Sequence, residues 1–266
     1  MAVVVVAVVR GRLPPPGASP LPAGGLRVHV LDVGQGDSIL LRPPRAPAIL
    51  VDSGPPDADV ADDLASAGVD ELGALVVTHP DLDHVGGASS LLARVDTAEV
   101  LFARLDRATR VAAGAAGSDL GRLAAGAVVR SGELRLDVLW PPRERLGLGK
   151  PAEPNDLSLV LLARWQGFRM LLSGDAEAEA AVVEAGDIDV LKVAHHGSDD
   201  AGLEALLARA DPELAVISVG SANPYGHPTA ATLGTLEAAG VNVVRTDATG
   251  TVELGAAGNS WAIAAP

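Results

Sequence analysis

The sequence predicts an α/β fold in which mixed β-sheets are covered by helices. Short apolar runs rich in Val, Ile and Leu alternate with Ala-rich stretches of helical character. The early apolar runs follow one another closely, as in hairpins, whereas the later ones alternate with helices, as in β-α-β units. About a dozen strands are too many for one small open sheet, so two sheets packed face to face are expected.

The strands are assigned to the short apolar runs and the helices to the Ala-rich stretches between them. Strands are expected at 26–33, 38–41, 48–51, 74–78, 99–102, 134–139, 158–164, 169–172, 190–194, 214–219, 242–245 and 251–254. Helices are expected at 59–67, 87–95, 176–185, 200–210 and 229–239. The span 141–156 is rich in Pro, Arg and Gly and is expected to be a loop.

Composition excludes several classes of protein. With 48% apolar and 20% charged residues, the 266-residue chain can bury a core and is unlike a disordered chain. It has no cysteine, which excludes disulfides, thiolate zinc sites and a cysteine nucleophile. The net charge of −14 argues against nucleic-acid binding through a general basic surface. No apolar run approaches the ~18 residues that a membrane span needs.

The first residues allow two interpretations. Residues 1–9 are apolar, but they are too few to cross a bilayer, and the basic residues follow them instead of preceding them as in a signal peptide. The run is either a buried strand or the end of a transmembrane helix whose upstream part is absent. Residues 1–24 are therefore predicted to be an apolar stub with a Pro-rich linker, and 25–266 to be one folded domain.

The densest group of chemically active side chains follows the predicted strand at 74–78. Four candidate metal ligands lie within six residues: His79, Asp81, Asp83 and His84. They are unsuited to a core unless paired or metal-bound. Pro80 disfavours a regular helix, so the ligands are expected on a turn, with His79 and Asp81 serving one metal and Asp83 and His84 a second. A solvated acidic loop is the disfavoured alternative.

Other candidates stand where predicted strands end. Asp175 is either a helix N-cap or a carboxylate that bridges two cations. His195 and His196 are adjacent, and because neighbouring side chains of a strand point to opposite faces, only one of them is expected to aim at a given metal. His227 is equally compatible with a ligand and with a surface histidine. Asp52 could contact a ligating histidine and orient it without binding the metal itself.

The order of these residues resembles that of the metallo-β-lactamase superfamily. Five phrases further resemble the soluble domain of ComEC-type DNA-uptake (competence) proteins: VGQGDS at 33–38, HPDLDHVGG at 79–87, NDLSLV at 155–160, KVAHHGS at 192–198 and NPYGHP at 223–228. The likeness runs from about residue 26 to residue 254. It implies a four-layer αββα sandwich, with a binuclear metal site at one edge of the two sheets and a hydrolase domain over 25–266.

The resemblance also implies a set of metal ligands. The positions that match are His79, Asp83, His84 and Asp175, with Asp175 as the bridge, and Asp81 stands where many members carry a second histidine. That shift toward oxygen donors makes Mn²⁺ and Mg²⁺ candidates beside Zn²⁺. In phosphorylcholine esterase-like relatives a His-His pair supplies a ligand and a catalytic side chain. By that likeness His196 is expected to be a ligand and His195 a phosphate-facing acid.

One position departs from the superfamily pattern. No histidine lies between His84 and His195, where the superfamily has a middle histidine ligand, so the first metal is expected to be weakly held. Asn155 falls roughly at the missing position. His227 resembles the final ligand loop of tRNase Z-like members and competes for a ligand role. Three residues are expected to support the ligands from behind: Asp52, Asn155 and Ser198.

The mechanism that follows is hydrolysis by a water activated between two divalent ions. Three residues are expected to be catalytic: Asp83, which helps to hold the water, and His195 and His227, either of which could protonate the leaving group. The leading hypothesis is a phosphodiesterase or nuclease domain of a ComEC-like DNA-uptake protein, acting on single-stranded DNA or a small phosphodiester. It would be membrane-associated through an upstream transmembrane part, or otherwise cytoplasmic; the oligomeric state stays open.

Two other functions remain compatible with the sequence. The first is a free-standing hydrolase of small phosphodiesters or other esters with no role in DNA uptake. The salt dependence of KM distinguishes it from a nuclease, because only a polyanionic substrate gives a steep one. The second is a non-catalytic module that uses the metal to stabilise an interaction surface, a hypothesis motivated by the missing middle histidine.

Overall fold

The computed structural model describes residues 5–8, 21–147 and 154–264. Over these residues the chain forms two β-sheets of nine and seven strands. The strands are β1 (Val5–Val8), β2 (Leu26–Val30), β3 (Ile39–Arg42), β4 (Ala48–Val51), β5 (Glu71–Val77), β6 (Asp96–Phe102), β7 (Asp119–Arg122), β8 (Val128–Ser131), β9 (Leu134–Trp140), β10 (Val160–Trp165), β11 (Phe168–Leu172), β12 (Val190–Lys192), β13 (Leu214–Ile217), β14 (Asn242–Arg245), β15 (Val252–Ala257) and β16 (Ser260–Ala264).

The helices cover the outer faces of the two sheets. They are α1 (Val60–Ser66), α2 (Leu82–Val85), α3 (Ala88–Leu92), α4 (Arg107–Ala116), α5 (Ala178–Ala181), α6 (Leu203–Ala210), α7 (Ala230–Ala238) and α8 (Thr246–Thr249). Three short 3-10 segments lie at Arg143–Gly147, Pro154–Leu157 and Ala194–Gly197.

The strand order places the loops after parallel strands at one edge of the molecule. The larger sheet runs β1-β16-β15-β2-β3-β4-β5-β6-β7, in which β4 to β7 are parallel. The smaller sheet runs β14-β13-β12-β11-β10-β9-β8, in which β11 to β14 are parallel. In open α/β sheets the loops after the carboxyl ends of parallel strands build the functional crevice. The candidate ligands follow β5, β11 and β12.

Because side chains alternate between the two faces of a strand, the buried apolar residues form three clusters. One lies between the sheets, and one lies under the helices on each outer face. In β10, Leu161 and Ala163 pack in the core between the two sheets, whereas Val160 and Leu162 pack with the core under α5 and α6. In β4, Ile49 and its alternate neighbours face the same inter-sheet core, and the remaining positions pack against α1 and α3. The resulting order of layers is helix, sheet, sheet, helix, which confirms the αββα sandwich.

Several elements differ from the sequence predictions. The helix α4 and the strands β7, β8 and β16 were not predicted. The strand β7 is a mostly exposed edge strand without apolar alternation, so it carries no periodic signal. The predicted helix at 176–185 is a single turn at Ala178–Ala181, because Ala-rich composition favours a helix without fixing its length. The first strand stops at Val30, short of the predicted end at residue 33.

Two expectations about loops also change. The segment with Asp83 and His84 is one turn of helix, α2, where a non-helical turn was expected. Pro80 precedes the N-cap residue Asp81 and therefore does not obstruct a helix that begins at Leu82. The expected loop at 141–156 contains two 3-10 segments, and residues 148–153 lie outside the described part.

At the amino terminus, Val5–Val8 forms a strand that pairs with β16 in antiparallel fashion. This is the local-strand alternative for that run. Residues 1–4 and 9–20 lie outside the described part of the chain, so the boundary at residue 24 stays a prediction. In the described segments, no helix combines the length and the apolar character that a bilayer crossing requires.

The burial of the inter-sheet core leads to a prediction for the free energy of unfolding. Leu161 is fully buried between the sheets, so Leu161→Ala should lower the free energy of unfolding by ~2–5 kcal/mol through lost burial and a residual cavity. Urea denaturation followed by circular dichroism measures this. The matched control is Val111→Ala on α4, where Val111 is 64% exposed and truncation should have little effect. Equal midpoints for the two variants would contradict the layered core.

Candidate metal centre

The centre is built where the two sheets meet at the carboxyl ends of their parallel strands. The larger sheet supplies His79 after β5 and His84 in α2, and the smaller sheet supplies Asp175 after β11 and the His195–His196 pair after β12. A backbone hydrogen bond from Leu159 N to Thr78 O (3.0 Å) joins the two sheets beside these loops. Residues far apart in sequence therefore converge on one edge.

Asp175 lies at the middle of the centre, and its two carboxylate oxygens face different sets of side chains. Its Oδ1 lies 3.0 Å from His84 Nε2 and 3.8 Å from His196 Nε2. Its Oδ2 lies 3.6 Å from His79 Nε2 and 3.8 Å from His195 Nε2. This arrangement has the form of a bridging carboxylate with donors on both sides.

The donors on the Oδ1 side are the more compact. Asp83, His84, Asp175 and His196 each offer a ligand atom, and these atoms lie within 4.8 Å of one another. Asp83 Oδ2 is 3.2 Å from His196 Nε2. The donors around Oδ2 are more widely spaced, because in the described part of the chain His79 and His195 do not join such a group with Asp175.

The imidazoles are oriented through their other ring nitrogen. His84 Nδ1 donates to Asp52 Oδ2 at 2.7 Å, and His196 Nδ1 donates to the carbonyl of Ser218 at 3.0 Å. Because a carboxylate and a carbonyl can only accept, these bonds put the ring proton on Nδ1 and leave Nε2 free to bind a metal. Asp52 is itself held by Thr78, through Thr78 N (2.8 Å) and Oγ1 (2.6 Å).

The His195–His196 pair lies beyond the strand on which it was expected. The two residues have positive φ values, 46° and 53°, and lie in the 3-10 segment Ala194–Gly197, beyond the end of β12. Outside a strand the alternation of faces does not apply, and both Nε2 atoms point toward Asp175. The predicted strand at 190–194 was too long, because β12 ends at Lys192, two residues earlier than expected, and the expectation of one ring for each metal stays a prediction.

The buried side of the centre fits a divalent cation. His79, His84, Asp175 and His196 are almost completely buried, whereas the side chains of Asp83 and Asp81 are 33% and 44% exposed. Among the described residues, His79 Nε2 is buried without a hydrogen-bond partner, and the 3.0 Å contact of His84 Nε2 with Asp175 Oδ1 lacks hydrogen-bond geometry. Buried polar atoms rarely stay unpaired, and a set of imidazole and carboxylate donors that opens to solvent on one side suits a metal ion.

The electrostatics favour positive charge at the same place. Burial opposes the charged form of every group, but the nearby imidazoles, His84 first, hold the pKa of Asp175 well below its usual range. In turn the carboxylates, Asp175 first, outweigh burial and raise the pKa of His84 well above normal and that of His196 to about 9. His79 differs, because burial and the nearby His84 lower its pKa to about 3. A divalent cation would supply the charge that the carboxylates favour.

A buried ion pair lies directly behind these ligands and joins the two sheets. Lys192, at the end of β12, pairs with Asp37, which precedes β3, and both side chains are buried. Asp37 Oδ1 is 3.4 Å from His196 Nδ1, and Asp37 Oδ2 is 4.0 Å from His84 Nδ1. Lys192 is the main cause that holds the pKa of Asp37 far below normal against the effect of burial. The pair therefore sits behind one ligand from each sheet.

The loop that carries Asp37 also contacts the backbone of the ligand segment. Asp37 N donates to the carbonyl of Asp83 at 3.1 Å, and Ser218 Oγ donates to the carbonyl of Gly36 at 2.7 Å. Gly36 has φ +141°, and a Cβ there would lie 2.1 Å from Asp83 O. Only glycine permits this close approach.

The remaining predicted residues lie around the centre. Asp81 Oδ2 is 3.8 Å from His79 Nε2 at the exposed side, and a shared ion between the two stays a prediction. Ser198 Oγ donates to Glu177 Oε1, which also accepts from His195 Nδ1 at 2.8 Å. His227 stands farther out, with its ring 5.6 Å from the ring of His195.

Asn155 was expected near the missing histidine position. The residue of its loop that contacts the centre is Ser158, whose Oγ lies 3.4 Å from His79 Nδ1 and accepts from Asp175 N at 3.1 Å. The carbonyl of Asn155 accepts from Ser158 N at 2.9 Å. A supporting role for the Asn155 side chain stays a prediction.

Sequence reasoning missed four residues that support the centre: Asp37, Lys192, Glu177 and Ser158. For Lys192 a signal existed, since a lone cation inside the apolar run around β12 requires a buried partner. The sequence could not identify Asp37 as that partner, because the two residues lie in different sheets. Glu177 opens an Ala-rich stretch and looks like an ordinary helix-start residue.

The comparison with protein families decides the assignment. The model of the metallo-beta-lactamase superfamily matches residues 31–221. The chain belongs to the metallo-β-lactamase superfamily. Membership assigns it, at a coarse level, to metal-dependent hydrolases and implies a divalent-metal site, which the donors around Asp175 fit.

Within this superfamily the chain is similar to competence proteins. It is 30% identical over 256 residues to ComE operon protein 3 of Bacillus subtilis (strain 168). The aligned region covers 85% of this chain and 32% of that protein. It is 29% identical over 244 residues to competence protein ComA of Neisseria gonorrhoeae, covering 88% of this chain and 33% of that protein. The chain thus spans about a third of the length of these relatives.

Solved structures support the metallo-β-lactamase fold. The metallo-beta-lactamase fold protein YhfI of Bacillus subtilis superposes with a TM-score of 0.60 at 10% identity, covering 86% of this chain and 99% of YhfI. At that identity the likeness concerns the fold alone, since one fold supports many chemistries.

The buried ion pair between the sheets leads to a prediction for the stability of this superfamily member. Lys192→Met leaves the Asp37 carboxylate buried without its cation and should lower the free energy of unfolding by ~3–5 kcal/mol, measured by urea denaturation of chelator-treated protein. The double variant Asp37→Asn/Lys192→Met removes both charges and should recover most of the loss.

The matched control for that prediction is an ion pair at the surface. Arg94 pairs with Asp59 in solvent, and Arg94→Met should leave the unfolding midpoint close to that of the unmodified protein. A Lys192→Met protein as stable as the Arg94→Met protein would mean that the buried pair does not hold the two sheets together.

Proposed function

We propose that the chain is a metal-dependent phosphodiesterase that cleaves single-stranded DNA, as the nuclease domain of a DNA-uptake protein. The observation that carries the proposal is the set of donors around Asp175, buried behind and open to solvent in front, in a chain similar to competence proteins. Two divalent ions, one on each oxygen of Asp175, are proposed, with Zn²⁺ or Mn²⁺ as the main candidates and Mg²⁺ as a third.

The residues proposed to hold the ions fall into two sets. The compact set is Asp83, His84, His196 and Asp175 Oδ1, and the wider set is His79, Asp81 and Asp175 Oδ2. Ions bound there would supply Lewis acidity toward a phosphate and would make water a better nucleophile near neutral pH. The chemistry of the set fits that task, because the mixture of imidazole and carboxylate donors suits each of the candidate ions.

The chain's own side chains then position the reactants. Asp83 is one-third exposed and its Oδ2 lies 3.2 Å from His196 Nε2, so it can orient a water at the mouth of the centre. A proton for the leaving group comes from His195 or His227, which stand together at the rim with ring centroids 5.6 Å apart. An unburied rim allows a long strand to lie across the centre.

The strongly acidic chain shapes how DNA would bind. With a net charge of −14, little affinity comes from a general basic surface. Attraction to phosphate would be concentrated at the bound cations, and contacts to bases would supply the rest. For this reason an exposed aromatic side chain close to the centre is relevant to the substrate.

Tyr225 is such a side chain. It is the single tyrosine in the sequence, it is 67% exposed, and its ring lies 5.9 Å from that of His227. The loop is held by Asn223, whose Nδ2 donates to the carbonyls of Gly220 and His227 at 2.8 Å each, and whose Oδ1 accepts from His227 N at 3.0 Å. A ring held on a fixed loop can stack on a nucleobase at low entropic cost.

The deciding experiment measures hydrolysis of labelled single-stranded DNA and of bis-p-nitrophenyl phosphate by chelator-treated protein reloaded with Mn²⁺, Mg²⁺ or Zn²⁺. Cleavage of DNA that depends on the metal, with a KM that rises with salt more than the KM for the small ester does, is the expected result. Cleavage of the small ester alone would favour a free-standing esterase. Metal binding without any hydrolysis would favour an interaction module.

Asp83→Ala removes a proposed ligand and should abolish hydrolysis while the fold is retained. Loss of a residue that only orients a ligand already lowers activity ~10–100-fold, so loss of Asp83 should exceed that range. Initial rates on DNA and a circular dichroism spectrum test the two parts. Asp119→Ala, at an exposed position of β7, is the matched control and should remain active. Unchanged turnover in the Asp83 variant would overturn the proposed centre.

Tyr225→Ala should raise KM for single-stranded DNA about tenfold or more, since stacking on one base contributes ~1–3 kcal/mol. Tyr225→Phe keeps the ring and should behave like the unmodified protein. An oligonucleotide with abasic residues should show no difference between tyrosine and alanine, because no base remains to stack. An undiminished effect of Tyr225→Ala on the abasic substrate would show that the ring does not act by stacking.

A further inference from the structure

The Oδ2 side of Asp175 is short of ligands if only the superfamily pattern is considered. His79 and Asp81 approach it, but no histidine occurs in the sequence between His84 and His195. A cation on this side would therefore have two protein ligands besides the bridging carboxylate. His195 Nε2 is also near, at 3.8 Å from the same oxygen.

We propose that His195 is a ligand of the ion on the Oδ2 side of Asp175, where it takes the place of the missing middle histidine, and that Glu177 positions it. The proposal rests on the two-ion centre of the proposed function and assigns one more of its ligands. It replaces the expectation that His195 is the acid that faces the phosphate.

The first support is the position of the ring. His79 Nε2 and His195 Nε2 lie at nearly equal distances, 3.6 and 3.8 Å, from Asp175 Oδ2. His84 and His196 stand in a similar relation to Oδ1. The bridging carboxylate thus has two imidazoles on each side. The wider Oδ2 set must close for both rings to reach one ion, and the ring of His195, 34% exposed, has room to move.

The second support is the hydrogen bond on the far side of the ring. His195 Nδ1 donates to Glu177 Oε1 at 2.8 Å, in the same way as His84 Nδ1 donates to Asp52. A metal-binding histidine almost always gives its other N–H to a carboxylate or a carbonyl. Because Glu177 can only accept, it fixes the tautomer in which Nε2 is free to bind a cation. Ser198 Oγ donates to the same Glu177 oxygen and holds it in place.

The third support is the backbone. His195 has φ +46° and ψ +46°, a left-handed conformation that is unfavourable for a non-glycine residue. His196 has the same kind of conformation, with φ +53°. Together the two unfavourable conformations turn both rings toward Asp175, which a regular strand would prevent. Backbone strain of this kind is typical of sites where a side chain must be held in one orientation.

His227 provides the contrast. It is half-buried, and its Nδ1 has no hydrogen-bond partner among the described residues. Its ring is 5.6 Å from that of His195, and among the described residues no bond from its Nδ1 to an acceptor fixes its tautomer. This leaves His227 free to exchange a proton. The assignment therefore gives His195 to metal binding and His227 to proton transfer.

The test is a titration of chelator-treated protein with Mn²⁺ by isothermal calorimetry, with bound metal counted by elemental analysis after gel filtration. The unmodified protein should bind two ions, one tightly and one more weakly. His195→Ala should retain the tight ion and lose the weak one. His227→Ala, the matched control on the neighbouring ring, should bind both ions with unchanged affinity.

A second variant keeps the test decisive if His195→Ala fails to fold. Glu177→Gln preserves the His195 ring but weakens its anchoring, and should lower the affinity for the weak ion by ~10–100-fold without affecting the tight one. Ser198→Ala should have a smaller effect in the same direction. Circular dichroism of the metal-free proteins confirms that each variant is folded.

The outcomes distinguish the assignment of His195 from the two-ion centre on which it rests. Two ions bound with unchanged affinity in both His195→Ala and Glu177→Gln would overturn the assignment of His195 while leaving the two-ion centre intact. Fewer than two ions in the unmodified protein would overturn the two-ion centre itself, and with it this assignment. Loss of the weak ion in His227→Ala, with both ions retained in His195→Ala, would transfer the ligand role to His227.

Discussion

The metal centre depends on one constraint, the buried ion pair that joins the two sheets at the edge where the ligands meet. Lys192 belongs to the smaller sheet and Asp37 precedes a strand of the larger one. Each ion alone would be costly to bury, so each requires the other, and the sheets are held in the register that brings them together. Asp37 of this pair contacts His84 from one sheet and His196 from the other, so the pair lies behind both ligands. The geometry of the centre is thus tied to the packing of the whole sandwich.

In front of this pair, Asp175 organises the donors around its two oxygens. The histidines that approach Oδ1, His84 and His196, are buried and anchored by an acceptor-only partner on the far ring nitrogen. The side that faces Oδ2 is more open, with Asp81 and His195 partly exposed. A tight, preformed half beside a looser half suits chemistry in which the substrate shares the coordination of one ion. The open half faces the rim that carries His227 and Tyr225, where single-stranded DNA would enter under the proposed function.

The accuracy of the sequence predictions varied with the range of the interaction involved. The strands of the inter-sheet core, such as β10 and β11, carry strong apolar runs and were predicted nearly at their observed bounds. The edge strand β7 was missed, because exposure to solvent removes the alternation that would mark it. The same holds for the centre. The HPDLDH phrase supplied four candidate donors by type and spacing, whereas Asp37 and Glu177 were missed because only their spatial neighbours distinguish them from ordinary surface acids.

The sequence by itself determined the class of fold and the superfamily, and it marked His79, Asp83, His84 and Asp175 as candidate donors, because each is expressed in local composition or in short phrases. The tertiary structure decided how those donors are grouped and which of the later histidines accompanies them. His195 and His196 are neighbours in sequence, and this alone does not say where either ring points. Only the end of β12 at Lys192 and the left-handed backbone beyond it turn both rings to one carboxylate. A side chain's direction depends on where its strand ends and on what packs behind it, and those are set by contacts between distant segments, which no local pattern records.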